Sequence, residues 1–385
     1  MMVSQLNKVI IASDSFKGSL SSLQVAKAAA EAVREVFPDC ETVCLEVADG
    51  GEGTSGALAN YLKGSERITV EVHGPLGDTV KAAYHISGST AVMEMSQASG
   101  LTLIPKERRN PLLTSSAGTG EMIADALDRG CRNFIVGIGG SATNDGGTGM
   151  MAALGWRFLD RNGREVVPCG GSLGEITAID PSGARKELKD CSFTVACDVD
   201  TPFVGPKGAA RVFAPQKGAT PEMVETLEDG MVSFAGTVMD STGTDISAMK
   251  GAGAAGGLGG AFAAFLGATL KPGSELVLEA SGFDAKAAGA DLVITGEGRM
   301  DSQTLRGKVP IAVLRHSQKL GIPAIAIAGA VEDVQEAINA GFRAVIPVTP
   351  EGMSIQDAMR PQTAMDNICT ALKRFFNYPS NWCSS

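Results

Sequence analysis

The chain has 385 residues, of which 44% are hydrophobic and 20% charged, the texture of a globular protein rather than a disordered or fibrous one. That length exceeds what one hydrophobic core usually serves, so two domains are expected, with a cleft between them as the natural site. A formal net charge of −10 excludes DNA, RNA and anionic membrane as partners held by bulk electrostatics, while a few local cations still allow an anionic small substrate.

The first predicted element is a buried strand, Val9 to Ala12, running into the loop Ser13-Asp14-Ser15-Phe16-Lys17-Gly18. Ser21-Ser22-Leu23-Gln24 opens a helix that carries Val25, Ala28, Ala29, Ala32, Val33 and Val36 at helical spacing up to Pro38. A second strand, Thr42 to Val47, ends in the loop Asp49-Gly50-Gly51-Glu52-Gly53-Thr54, and Ser55 to Leu62 forms the next helix. Parallel strands joined by right-handed crossovers follow from this opening.

After Gly64 the texture changes. Ile68 to Val72, Val80 to Ile86 and Thr90 to Met95 read as strands joined by the short turns Gly74 to Asp78 and Ser87 to Ser89, which is an antiparallel meander. A helix from Ser116 to Asp128 leads to the apolar run Phe134 to Val136, a glycine loop from Gly137 to Gly149, and a helix from Met150. Strands follow near Arg157 to Leu159 and Phe193 to Cys197, the latter ending in Asp198-Val199-Asp200, with helices over Met223 to Met239 and Gly256 to Leu266.

From Ala290 the first texture returns. Leu292 to Thr295, Ala324 to Ala328 and Ala344 to Val348 are unbroken apolar runs, as buried parallel strands are, with helices near Val309 to Lys319, Val331 to Ala340 and Ile355 to Phe376. The expectation is an α/β protein: a doubly wound parallel-sheet domain, Rossmann- or flavodoxin-like, built from both chain ends (1–67 and 288–385). A mixed α/β domain (68–287) is inserted into it. The alternative is two sequential domains split near residue 150.

Eight cysteines occur with no Cys-x-x-Cys spacing, so neither a zinc site nor a disulfide framework is indicated, and buried free thiols fit best. The run from Val9 to Ala12 is too short for a signal peptide, and no stretch reaches the roughly 18 to 20 apolar residues of a membrane span. A cytoplasmic setting is expected.

Three standard chemistries are missing. There is no Gly-x-x-x-x-Gly-Lys-Ser/Thr; Gly298 to Lys308 comes nearest and has the wrong spacing. A dinucleotide fingerprint is absent, and no Gly-x-Ser-x-Gly elbow supports a Ser-His-Asp hydrolase. His73 and His85 fall in the meander and His316 in a surface-like helix, each expected to be structural or solvated.

What remains is carboxylates, a few cations and small hydroxyl residues at strand ends, and in open parallel sheets ligands bind at the carboxyl ends of strands. Phosphoryl transfer needs that set: oxygen ligands for Mg²⁺, cations on the migrating phosphoryl, and a carboxylate for the acceptor's proton. A glycine loop before a helix start can cradle phosphate, so Gly139, Gly140, Ser141, Thr143, Asn144, Gly146 and Gly147, with Lys308, are candidate nucleotide contacts. Asp145 and Asp198, assisted by Asn144, are candidates for Mg²⁺. Lys17 and Arg299 are the candidate cations on the phosphoryl group. Asp14, Asp49, Glu52, Glu297 and Asp301 are the candidate proton acceptors, with Asp49 favoured because it opens a glycine loop with no adjacent cation.

Five motifs in order carry a resemblance that spans nearly the whole chain. Ser13-Asp14-Ser15-Phe16-Lys17-Gly18-Ser19, Ala48-Asp49-Gly50-Gly51-Glu52-Gly53-Thr54, Gly139-Gly140-Ser141-Ala142-Thr143-Asn144-Asp145-Gly146-Gly147, Ala196-Cys197-Asp198-Val199 and Thr295-Gly296-Glu297-Gly298-Arg299-Met300-Asp301 together resemble the bacterial glycerate kinase family. The resemblance implies ATP- and Mg²⁺-dependent phosphorylation of D-glycerate, with 2-phosphoglycerate as the favoured product, in glyoxylate or sugar-acid catabolism. It also implies two α/β domains around a cleft; a homodimer is left open. The rival reading is a binding or sensor protein that closes on a sugar acid without turning it over, against which the acid-rich loops count.

Overall fold

A computed structural model describes residues 5–48, 54–301, 304, 308–332 and 334–378. The chain divides into two compact units, Met1–Asp49 with Ser274–Ser385, and Gly50–Gly273. The limits expected from the sequence lie 67/68 and 287/288. Each unit has its own hydrophobic core.

The first unit opens with β1 (Lys8–Ile11), α1 (Ser22–Val36) and β2 (Glu41–Cys44). Val9, Ile10 and Ile11 are all fully buried, as expected of a strand covered on both faces. Helix α1 starts where the sequence signals it. Ser21 Oγ accepts from the Gln24 amide at 3.3 Å and Gln24 Oε1 accepts from the Ser21 amide at 2.8 Å, so two otherwise orphaned donors are satisfied reciprocally.

The second unit begins with α2 (Thr54–Tyr61), β3 (Glu66–His73), β4 (Thr79–Ser87) and β5 (Thr90–Glu94), followed by the single turn α3 (Ser96–Ser99), α4 (Ala117–Asp128) and β6 (Asn133–Gly137). Then come α5 (Thr148–Ala153), a two-stranded ribbon of β7 (Arg157–Leu159) and β8 (Ala178–Asp180), and β9 (Ser192–Ala196). Helices α6 (Ala209–Phe213), α7 (Pro221–Thr242) and α8 (Ala254–Leu266) and strand β10 (Thr269–Lys271) complete it. The main sheet runs β10-β9-β6-β5-β4-β3. Its meander half is antiparallel (β3-β4-β5), and its other half is parallel (β5-β6-β9-β10).

The chain then returns through α9 (Gly273–Ser281), α10 (Phe283–Ala287), β11 (Leu292–Met300), α11 (Val309–Lys319) and β12 (Ala324–Val331). Helix α12 (Val334–Ala340), strand β13 (Ala344–Pro347) and helices α13 (Ile355–Ala358) and α14 (Pro361–Phe376) end the described chain. The five strands of the first unit form one parallel sheet in the order β13-β12-β11-β1-β2. By order of appearance this is the flavodoxin-like 2-1-3-4-5 arrangement, whose switch point lies between β1 and β11.

Three local expectations are corrected. Gly296-Glu297-Gly298-Arg299 reads as loop but lies within β11, because β12 continues beside it and pairs Glu297 with Ala328 and Arg299 with Ala330. The segment from Ile355 to Phe376 is two helices, broken where Pro361 leaves Arg360 extended (φ −64°, ψ 127°). Ala255, Gly256 and Gly257 all adopt left-handed backbone, so the regular part of α8 starts at Leu258.

His316 is not on the surface: it is 6% exposed and sits between two carboxylates, Asp284 Oδ1 at 2.5 Å from Nδ1 and Glu275 Oε2 at 2.9 Å from Nε2. Burial pulls the imidazole's pKa down, but the hydrogen bonds to Asp284 and Glu275 outweigh it and hold the pKa above the ordinary 6.5. A group whose pKa is raised on folding contributes stability that is complete below its unfolded pKa and is lost as pH rises through the folded value. His316→Asn should therefore cost about 1–2 kcal/mol near pH 5.5 and progressively less above pH 6.5. Urea midpoints of both proteins at several pH values check this; a gap that stays flat or widens with pH would disprove the charged pairing.

Candidate active site

In the first unit a cavity of about 520 Å³ opens at the carboxyl ends of β1, β11, β12 and β13, over the switch point. It gathers six of the residues singled out from the sequence, Asp14, Lys17, Glu297, Arg299, Asp301 and Lys308. The loop after β1 is fastened to β11 by the Asp14 amide, which donates to Gly296 O at 2.8 Å. Gly18, in the same loop, has φ +77°, and a Cβ there would stand 2.9 Å from Met359 Cε. Glycine is therefore favoured by the backbone conformation, while the flexible Met359 side chain can give way to a Cβ.

Within this cavity Glu297 is the carboxylate whose acidity burial changes. Only 6% exposed, it has one oxygen 3.4 Å from the Lys308 ammonium, while Oε1 has no hydrogen-bond partner among the described residues. Burial pushes its pKa above the usual 4.5, and the Thr304 hydroxyl and Lys308 charge draw part of that back. A nearly buried carboxylate with a raised pKa, on the wall of a cavity, is a candidate proton acceptor. Asp14 is also buried (4% exposed) and accepts from the Ser15 amide at 2.7 Å. Arg299 is exposed and ion-paired with Glu332. Asp49 and Glu52 lie outside the described residues.

The glycine loop belongs to the second unit and is less open than the sequence suggests. Gly139 and Gly140 are exposed, but Ser141 through Met150 are buried. Asp145 is fully buried. Its Oδ2 accepts from the Ser116 amide at 2.7 Å, the Ser116 hydroxyl at 2.8 Å and the Gly149 amide at 3.1 Å, and its Oδ1 from the Gly147 amide at 3.2 Å. The anion expected at this helix start is thus the chain's own carboxylate, and it presents no exposed oxygen to a metal. Thr143 and Asn144 are likewise fully buried, packed against the second glycine turn: a Cβ on Gly256 would fall 2.1 Å from Thr143 O.

Asp198, by contrast, is exposed at the end of β9, beside the end of β6 from which Gly139 follows, and accepts from the Gly273 amide at 2.9 Å. Among the described residues no three His, Cys, Asp or Glu side chains are grouped as metal ligands.

One residue escaped the sequence altogether. Lys217 is 2% exposed, and its ammonium donates to Ser141 Oγ at 2.8 Å and Thr143 O at 2.6 Å, bracing the glycine loop from within. Burial brings its pKa down to about 7, against the opposing pull of the Asp145 charge. Its setting, Pro215-Gln216-Lys217-Gly218, reads as an ordinary turn, and Pro215, Gln216 and Gly218 are indeed exposed; only the tertiary fold reveals that the Lys217 side chain turns into the core.

Carboxylates beside cations at the switch point of an open sheet meet the needs of phosphoryl transfer, and the chain is a kinase. Residues 9–378 match the Glycerate kinase family, to which the chain belongs. It is 46% identical over 383 residues to the glycerate kinase of Halalkalibacterium halodurans, covering 99% of this chain and 100% of that one. It is 48% identical over 367 residues to the glycerate 2-kinase of Escherichia coli K12, covering 94% and 96%. A crystal structure of a putative glycerate kinase 2 from Salmonella typhimurium LT2 superposes with a TM-score of 0.82 at 42% identity, covering 97% of this chain and 98% of that one.

Proposed function

We propose that the protein transfers the γ-phosphoryl group of ATP to the 2-hydroxyl of D-glycerate, giving 2-phosphoglycerate and ADP, as a cytoplasmic step of glyoxylate or sugar-acid catabolism. The observation that carries the reading is the charged lining of the first unit's cavity, where three carboxylates and three cations line one space. The 48% identity to a relative named glycerate 2-kinase supports the choice of hydroxyl.

In this reading Glu297 takes the proton of the acceptor hydroxyl as that hydroxyl's oxygen forms the new bond to phosphorus and the bond to ADP breaks. Lys17, Lys308 and Arg299 meet the negative charge of the phosphates and of the substrate carboxylate. The hard oxygen donors of Asp14 and Asp301 fit Mg²⁺, which takes one or two carboxylates beside substrate phosphates; bound there it would neutralise charge on the phosphates. In the second unit Gly139, Gly140 and Asp198 are the exposed candidates for contact with substrate or metal. Ser141, Thr143, Asn144, Gly146 and Gly147, with Asp145, hold the loop's shape.

Incubating the protein with Mg·ATP and D-glycerate should release ADP in proportion to a phosphomonoester whose ³¹P signal couples to the C2 proton. Tight binding of D-glycerate with no ADP formed would return the protein to the binding or sensor class, and coupling to the C3 protons would move the acceptor to the 3-hydroxyl.

A further inference from the structure

The cavity of the first unit is too large, and has too much apolar wall, for its charged residues to be the whole site. Pockets for drug-sized ligands hold about 300–1,000 Å³. At about 520 Å³ this cavity has several times the room that a three-carbon acid needs. Besides the carboxylates and cations, its wall includes the apolar side chains of Phe16, Val348, Ile355, Ala358 and Met359. Of these, Ile355 is 77% exposed and Met359 40%, an apolar surface that water covers at a cost.

A polar group stands in this apolar wall. Asn367, on α14, lines the cavity and is 8% exposed. The hydrogen bond it makes runs from its amide nitrogen to the sulfur of Met353 at 3.4 Å, and a thioether is a weak acceptor. A nearly buried carboxamide so poorly matched has donor and acceptor capacity to offer a ligand. The paired donor and acceptor on the edge of a purine match a carboxamide, as in the bidentate contact of asparagine with adenine.

We infer that the purine ring of the nucleotide lies on this apolar wall, against Phe16, Ala358 and Met359, with the Asn367 carboxamide meeting its edge. The inference rests on the kinase reading and deepens it, since it places the base in the first unit rather than at the glycine loop of the second. The triphosphate then extends from the ring toward Lys17 and Lys308, which line the same cavity.

Photolabelling of the full-length wild-type protein with 8-azido-ATP and Mg²⁺, without glycerate, tests the placement by where the label falls in a tryptic digest. Label within residues 344–373 or on Phe16, abolished by excess ATP, is the expected result. Label confined to residues 133–157, or no ATP-protected label at all, would overturn it. Asn367→Leu gives a second readout: the KM for ATP should rise about tenfold, and the preference for ATP over CTP should shrink, with the KM for D-glycerate within twofold of wild type. An unchanged KM for ATP would remove Asn367 from the site. A protein that labels as expected but phosphorylates no glycerate would refute the proposed reaction and leave the nucleotide site standing.

Discussion

Glutamine in place of Glu297 is expected to lower turnover by about 10²- to 10⁴-fold, the usual contribution of a positioned acid or base. The KM for ATP should stay near its wild-type value. Glutamine keeps the shape and the hydrogen-bonding reach of the side chain and removes its capacity to take a proton. The pH dependence supplies a second, signed test. Since burial raises this carboxyl's pKa above 4.5, kcat/KM for the wild type should climb with pH through a value above that and then level off. Taking away the Lys308 charge with Lys308→Met should move the rise to still higher pH, because that ammonium favours the ionised carboxylate. Steady-state kinetics between about pH 4.5 and 8 decide the matter. Turnover of Glu297→Gln within threefold of wild type would exclude it as base and return the role to Asp49.

The second large effect is on stability. Asp145 gathers four protein donors in a site with no exposure, and Lys217 is buried on the other side of the same loop. The two charges form no ion pair, but the Asp145 charge acts on Lys217 through space, and removing either side chain leaves buried polar partners unsatisfied, at a typical cost of about 1–3 kcal/mol. Lys217→Met and Asp145→Asn should each destabilise the second unit by that order. The asparagine adds a further misfit, because its amide can face the amides of Ser116, Gly147 and Gly149 donor to donor. The double variant should lose clearly less than the sum of the two, since the through-space attraction they share is lost only once. Denaturant unfolding of the four proteins measures the cycle. Full additivity would show that the two charges do not sense one another.

What the sequence made legible was whatever local pattern decides. The unbroken apolar runs at Val9, Leu292, Ala324 and Ala344 each became a strand of the parallel sheet, and the Ser21–Gln24 box started α1 where it stands. The cations and carboxylates of the first and last segments were recognisable by residue type, and the fold brought them to one cavity. What stayed hidden depends on neighbours distant in the chain. Glu297 and Arg299 are strand residues because β12 lies alongside, not because glycine-flanked charges favour extension. Asp145 and Asp198 look alike in sequence, each a carboxylate after a strand. One is turned inward onto amide donors and the other outward, and no periodicity distinguishes them. Lys217 is the extreme case, a charge in a turn that only packing could bury.

The insertion of the second unit between β2 and β11 has a consequence for how the protein is made. Strand β1 pairs with β2 on one side and with β11 on the other, Val9 opposite Thr42 and opposite Leu292. The first pairing is available almost as soon as the chain leaves the ribosome. For the second, β1 must wait for nearly three hundred residues of synthesis, roughly 15–60 s at the usual rates of elongation. During that interval Val9 and Ile11 lie on a strand with one edge unpaired, the kind of surface that recruits another chain or a chaperone. The second unit is continuous in sequence and can close its core while the first is still incomplete. Nascent chains halted before residue 292 should therefore show a protease-resistant second unit joined to a protease-sensitive N-terminal segment.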